Sequence, residues 1–155
     1  MVGTFMNQTI TQVFLTLFTL LTLSACGKVS INNRAPDLTA TCTDAQTCTA
    51  IVGWDYVDSE RARITGFKLY YGRISQTNHA FTGYEHELEI APEAKTATVP
   101  NLGAIGRVYF SMTAYASPGS PICAEGCESP YSNEISIDFS TVPAGTVLTV
   151  QIEAN

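Results

Sequence analysis

Positive charge is scarce in this sequence. Its 155 residues carry eight Lys and Arg against 14 Asp and Glu, for a net charge of −6. A surface so short of cations cannot neutralise a phosphate backbone, which argues against a nucleic-acid partner. Histidine is rarer still, with only two residues. His79 falls in a polar stretch, and His86 stands between Glu85 and Glu87. Neighbours on a strand point to opposite faces, so neither glutamate readily shares a metal with His86. Asp55, Asp58 and Glu60 form an acidic loop without the glycine and register of a calcium loop. No C-x-x-C spacing occurs, which counts against a zinc site or a thioredoxin-like redox pair. After residue 26 no amphipathic helix can be traced, so no glycine-rich phosphate loop opens one. A Gly-x-Ser-x-Gly elbow is lacking, and Gly119-Ser120-Pro121 has no histidine near it in sequence. The carboxylates fall on strand edges and loops, where a raised pKa is not expected. These absences point away from an enzyme, a metal or a cofactor.

The chain has room for one domain with a working core. Its first segment stands apart from that domain. Val13 to Leu23 is apolar and threonine-rich, the length of a signal-peptide core and short for a bilayer span. It runs into Leu23-Ser24-Ala25-Cys26-Gly27. This resembles a bacterial lipobox, cleaved before Cys26 to leave a lipidated N-terminal cysteine. No Lys or Arg precedes Lys28, a departure from the usual basic start. The alternatives are an uncleaved anchor helix and secretion with cleavage elsewhere. The resemblance implies residues 1–25 as signal peptide, and a diacylglyceryl group plus an N-acyl chain such as palmitate on Cys26. One acyl chain anchors marginally and two or more anchor firmly. Gly27 in place of Asp implies the outer membrane, if the host is Gram-negative. Residues 26–35 then read as a short polar tether, with Pro36 opening the domain. Removing Cys26 leaves Cys42, Cys48, Cys123 and Cys127, an even number that suits disulfides in an oxidising compartment. Four cysteines allow three connectivities, and their spacing does not choose among them.

From Leu38 the dominant pattern is alternation with a period of two. Leu38–Cys42 reads as a first strand. Cys48–Tyr56 reads as a second, with Ala50, Val52 and Trp54 on one face. Ile64–Gly72 is a third, with Phe67, Leu69 and Tyr71 opposite Lys68 and Tyr70. Tyr84–Ile90 is a fourth whose Glu85, Glu87 and Glu89 line one face, as on an edge protected against strand addition. Ala94–Val99 is a fifth. The sixth sets Val108, Phe110, Met112 and Ala114 against Tyr109, Ser111, Thr113 and Tyr115. Ile135, Ile137 and Phe139 mark a seventh, paired with the sixth. Thr146–Glu153 is rich in β-formers, and is expected either to add an eighth strand beside the last one or to remain an exposed tail. Seven strands at this spacing predict an all-β sandwich.

Several stretches resemble a bacterial fibronectin type III domain. They are Val52-Gly53-Trp54-Asp55, Ile64 to Gly72, Ala97 to Leu102, Tyr109 to Tyr115 and Glu128-Ser129-Pro130-Tyr131-Ser132-Asn133-Glu134. Their order and spacing, more than any one piece, carry the resemblance over residues 36–139, with 140–155 as a C-terminal strand or tail. It implies a seven-stranded immunoglobulin-like sandwich. Two departures stand out: Val108 occupies the position of the usual corner tyrosine, and the four cysteines are not part of the common pattern. The family topology puts the Cys42–Cys48 turn at one pole and the Cys123–Cys127 loop at the other. Because a bridge needs α-carbons within about 7 Å, the resemblance implies disulfides Cys42–Cys48 and Cys123–Cys127.

Two surfaces are candidates for function. One is the outer face of the third, sixth and seventh strands, where Tyr70, Tyr109 and Tyr115 are expected in solvent with Lys68, Ser111, Thr113 and Ser136. Exposed tyrosines offer rigid contact area with a hydrogen-bonding tip. The other is the Ala116–Pro130 loop, pre-ordered if Cys123 and Cys127 are joined. The expectation is a non-catalytic, lipid-anchored module of the bacterial cell envelope that recognises a protein or carbohydrate. The alternative is an accessory subunit of an envelope assembly, pairing through Thr146–Glu153 by strand addition.

Overall fold

The computed structural model describes residues 29–31, 38–43, 47–103, 106–141, 145 and 147–149. In chain order its elements are β1 (Ser30–Ile31), β2 (Leu38–Cys42), β3 (Cys48–Asp55), α1 (Asp58–Arg61), β4 (Gly66–Gly72), β5 (His86–Ile90), β6 (Thr96–Leu102), β7 (Arg107–Ala116), β8 (Cys127–Glu128), β9 (Ile135–Asp138), a 3₁₀ turn (Phe139–Thr141) and β10 (Val147–Thr149). Every strand pair is antiparallel. The strands form two sheets. In one, β2 lies between β10 and β3, and β3 also pairs with β1 and β6. In the other, β4 lies between β5 and β7, and β7 pairs with β8 and β9 along its far side.

Alternation decides which side chains the sheets share. Ala50, Val52 and Trp54 from β3 are buried with Phe67 and Leu69 from β4, and with Val108, Phe110, Met112 and Ala114 from β7. Trp54 meets Phe67 edge to face, ring centroids 5.5 Å apart, which joins the two sheets in one core. The arrangement is all-β and consistent with a β-sandwich.

Three expectations need correction. The stretch read as tether enters the fold: Val29 is fully buried, and Ser30 and Ile31 pair with Asp55 and Trp54. A three-residue segment is too short to show a period, so alternation could not reveal it. The C-terminal strand is not beside the last one. Val147, Leu148 and Thr149 pair with Thr41, Ala40 and Thr39, across the first long strand. The remainder of Thr146–Glu153 lies outside the described residues. The acidic Asp55–Arg63 loop contains the single helical turn α1, in which Arg61 pairs with Asp58 at 3.0 Å. Arg61 also donates to the carbonyls of Pro92 and Ala94 and lies over the Phe67 ring, so it closes this end of the core.

Gly66 shows why one position must lack a side chain. A β-carbon there would stand 2.5 Å from the carbonyl oxygen of Ile90 and 3.1 Å from the Tyr115 ring. Its absence lets Tyr115 lie across the backbone of β4.

Candidate functional site

The outer face of the β5–β4–β7 sheet is set by register. Lys68 pairs with Thr113 on one side and Glu89 on the other, and Tyr70 pairs with Ser111 and Glu87. Tyr115 stands opposite Gly66, and Tyr109 opposite Gly72 and Ser136. Tyr109 and Tyr115 are therefore six residues apart on one strand, about 20 Å. The three tyrosines do not form one patch. Lys68 lies 5.7 Å from the centre of the Tyr115 ring and within 4 Å of carboxylate oxygens of Glu87 and Glu128. Tyr70 belongs to a different cluster.

The other members of that cluster, Tyr131, Tyr84 and Phe81, lie outside the described strands, and Tyr84 precedes β5 although the alternation places it at the start of that strand. The Tyr131 ring packs edge-on to Tyr70 at 5.1 Å and to Tyr84 at 5.4 Å. Tyr70 and Tyr84 lie near-parallel at 6.2 Å, and Phe81 extends the group against Tyr84 at 5.0 Å. The expectation of solvent exposure fails for Ser111 and Thr113, which are 0% and 2% exposed although they lie on the outer face.

Tyr131 reaches this position because the strand is interrupted between β8 and β9. Pro130 has no amide proton to give to β7. Ser129 and Ser132 make the exchange instead. Their amides donate to the carbonyls of Ala114 and Met112, each at 2.8 Å, and their hydroxyls accept from the amides of Ala114 and Met112, each at 3.0 Å. The ladder stays satisfied on either side while Pro130 and Tyr131 arch outward.

Two carboxylates hold the rings in place. Glu128 Oε1 accepts from the Tyr70 hydroxyl and from Thr113 Oγ1, each at 2.6 Å. Glu134 accepts from the Tyr84 hydroxyl at 2.6 Å, from Ser75 Oγ at 2.5 Å and from the Gln76 amide at 2.8 Å. It thereby ties the loop after β4 to the approach of β9. Burial works against the charge on Glu128, but the hydrogen bonds from Thr113 and Tyr70 and the Lys68 ammonium outweigh it and hold its carboxyl below the usual range. Burial, reinforced by the neighbouring Glu128 and Glu134, pushes the Tyr70 and Tyr84 hydroxyls well above the ordinary tyrosine range. Burial and the charge of Glu128 raise Tyr131 as well. All three tyrosines are neutral at physiological pH.

The cysteines divide. Cys42 and Cys48 are joined, with α-carbons 4.1 Å apart, across the β2–β3 turn. Cys123 and Cys127 are side by side as thiols in hydrogen-bond contact, and that contact, ahead of burial, raises the Cys123 pKa. Cys26 lies outside the described residues.

A cleft of about 480 Å³ opens at the margin between β4, β5 and β6, lined by residues that include Tyr71, Arg73, Glu85, His86 and Asn101. There His86 packs against the Tyr71 ring at 4.9 Å. Among the described residues, no group of three or more His, Cys, Asp or Glu could hold a metal ion.

No protein-family model matches this chain. No curated protein matches it either.

Proposed function

We propose that the chain is a lipid-anchored, non-catalytic module of the bacterial cell envelope, built on a fibronectin type III-like sandwich, that recognises a protein or carbohydrate through its outer face. The observation that carries this reading is the Tyr70–Tyr84–Tyr131 cluster. Tyr131 keeps 38% of its surface in solvent, while the hydroxyls of Tyr70 and Tyr84 are occupied by Glu128 and Glu134. A platform of rings already locked in place loses little entropy on binding. Aromatic faces suit the apolar face of a sugar ring or a protein side chain, and Lys68 and Glu128 supply charge at the border.

Other features support the wider reading. The strands expected first, second and fifth pair in one sheet, and those expected third, fourth, sixth and seventh pair in the other, as in a fibronectin type III domain. Cys123 and Cys127 stand as thiols, so the second disulfide that the resemblance implies is not formed here. The accessory-subunit alternative finds less support, because β10 is already paired with β2 of its own chain.

The test is Tyr131→Ala, screened with the wild type against a glycan array and envelope-protein extracts. Tyr131 lies where the chain arches away from the ladder, so the variant is expected to fold with a melting temperature lowered only by the loss of its two ring contacts, and to lose at least tenfold in affinity for whatever the wild type captures. Unchanged capture by the variant would rule out the ring cluster as the binding surface.

A further inference from the structure

The burial of Val29 bears on how an anchored module would sit. This inference rests on the proposed acylation of Cys26. Two residues, Gly27 and Lys28, separate Cys26 from Val29, and a fully extended chain spans only about 10 Å over those three steps. Val29 is 0% exposed, and the next two residues are paired to Asp55 and Trp54 at the end of β3. A linker this short leaves the domain little freedom to swing. The end of the sandwich that holds Val29 must stay within about 10 Å of the lipid surface.

Three connections meet at that end. The β3–β4 connection holds Val57 and α1. The β5–β6 turn is joined to it by Arg61, which donates to the carbonyls of Pro92 and Ala94. The β7–β8 loop is joined by Ser117, whose amide donates to Thr65 Oγ1, and by Ser120, whose hydroxyl donates to the Arg63 carbonyl. The most exposed large apolar side chain in the described residues, Val57 at 58%, is here, and Pro118 and Pro121 are also exposed. Charges at this end are mixed, with Asp58, Glu93 and Glu125 set against Arg63 and Lys95. Among the described residues, no basic patch draws this end to anionic lipid. The chain length and the apolar tips are what seat it.

We propose that the pole formed by the β3–β4, β5–β6 and β7–β8 connections lies against the bilayer, with the lipid surface as its occupant. The Cys123–Cys127 loop is then membrane-facing, which removes it from the surfaces open to a soluble partner. Tyr70 stands four residues along β4 from Gly66, about 13 Å farther out. The outer-face rings, and the opposite pole with the loop of Asn78 and His79, remain accessible.

The full lipidated chain, isotope-labelled, is placed in nanodiscs of phosphatidylethanolamine and phosphatidylglycerol doped with a gadolinium-chelating lipid. Intact mass of the same sample reads the acylation of Cys26. With an acylated chain, the amide signals of Val57, Ala62, Gly119 and Ala124 are expected to lose several-fold more intensity than those of Asn78, His79 and Gly106. Added salt should leave that contrast in place. A flexible Gly-Ser insert of about twelve residues between Gly27 and Lys28, with an r.m.s. span of about 20 Å, is expected to erase it. Uniform or reversed broadening of an acylated wild type overturns the proposed orientation and leaves the anchor intact. A contrast that survives the insert overturns the role of the short span. A mass without acyl chains overturns the lipoprotein reading, and the membrane pole with it.

Discussion

At the scale of single residues, two serines do work that a continuous strand would do with its backbone. Ser132 is buried, and its hydroxyl accepts from the Met112 amide while its own amide donates to the Met112 carbonyl. The same hydroxyl also donates to the Asn133 carbonyl and lies 3.2 Å from Ser111 Oγ. Replacing Ser132 with alanine keeps the amide bond and removes the acceptor. The Met112 amide is then buried without its partner, which costs about 1–3 kcal/mol. Ser132→Ala should therefore lower the free energy of unfolding by that much, read as a lower urea midpoint with an unchanged slope. A variant as stable as the wild type would mean that the arch around Tyr131 has another support. The neighbouring Ser129 repeats the arrangement with Ala114, so Ser129→Ala should give a similar shift.

At the scale of elements, the β2–β3 hairpin is closed by the Cys42–Cys48 bond at a sequence separation of six. A loop that small constrains the unfolded chain by about 2 kcal/mol. The double variant Cys42→Ala/Cys48→Ala should lose roughly that amount in equilibrium unfolding, because both half-cystines are buried and alanine leaves no unpaired thiol behind. A loss near zero would show that the turn from Thr43 to Thr47 closes the hairpin without the bond. Thr43 supports such a turn through its amide, which donates to the Thr47 carbonyl at 3.0 Å. Elements also mark where the sequence was readable. The alternation from Val108 to Tyr115 identifies β7 and its inner face, because a strand half-buried in a sheet repeats every two residues. It cannot show that Ser111 and Thr113, on the other face, are covered. Thr113 has Lys68 opposite it and donates to Glu128, and Ser111 lies 3.2 Å from the Ser132 hydroxyl, so their partners come from other segments of the chain. Likewise Thr146-Val147-Leu148-Thr149 reads as a strand from its β-branched residues, but the edge it joins is a long-range choice. Tyr70 and Lys68 stand on the outer face that the alternation expects, and so do Tyr109 and Tyr115, but sharing a face over six residues of β7 does not bring those two together.

At the scale of the whole molecule, the outer face couples stability to pH from both sides. The folded Glu128 carboxyl titrates below its usual range, held there by Thr113, Tyr70 and Lys68 against the effect of burial. The unfolded chain therefore takes up the proton first on acidification. The stabilisation is present above the ordinary carboxylate range and is lost as pH falls through the folded value. Tyr70 and Tyr84 behave oppositely. Burial and their carboxylate partners raise their folded pKa, so the unfolded chain releases those protons first on alkalinisation. That stabilisation is present below the ordinary tyrosine range and declines as pH rises beyond it. Urea midpoints should therefore form a plateau from about pH 5 to about pH 9, falling on both sides. Glu128→Gln separates the two limbs. Glutamine retains an acceptor for Tyr70 and Thr113 but has no charge to lose, so the acid limb should flatten relative to the wild type. The alkaline limb should persist through Tyr84 and Glu134, with absorbance at tyrosinate wavelengths lagging until the fold opens. Parallel acid limbs in the two proteins would show that Glu128 does not set the acid response. The seven tyrosines titrating as one ordinary population, with the fold intact, would show that Tyr70 and Tyr84 are not locked to their carboxylates. The platform proposed for binding would then be mobile, and its preorganisation could not contribute to recognition.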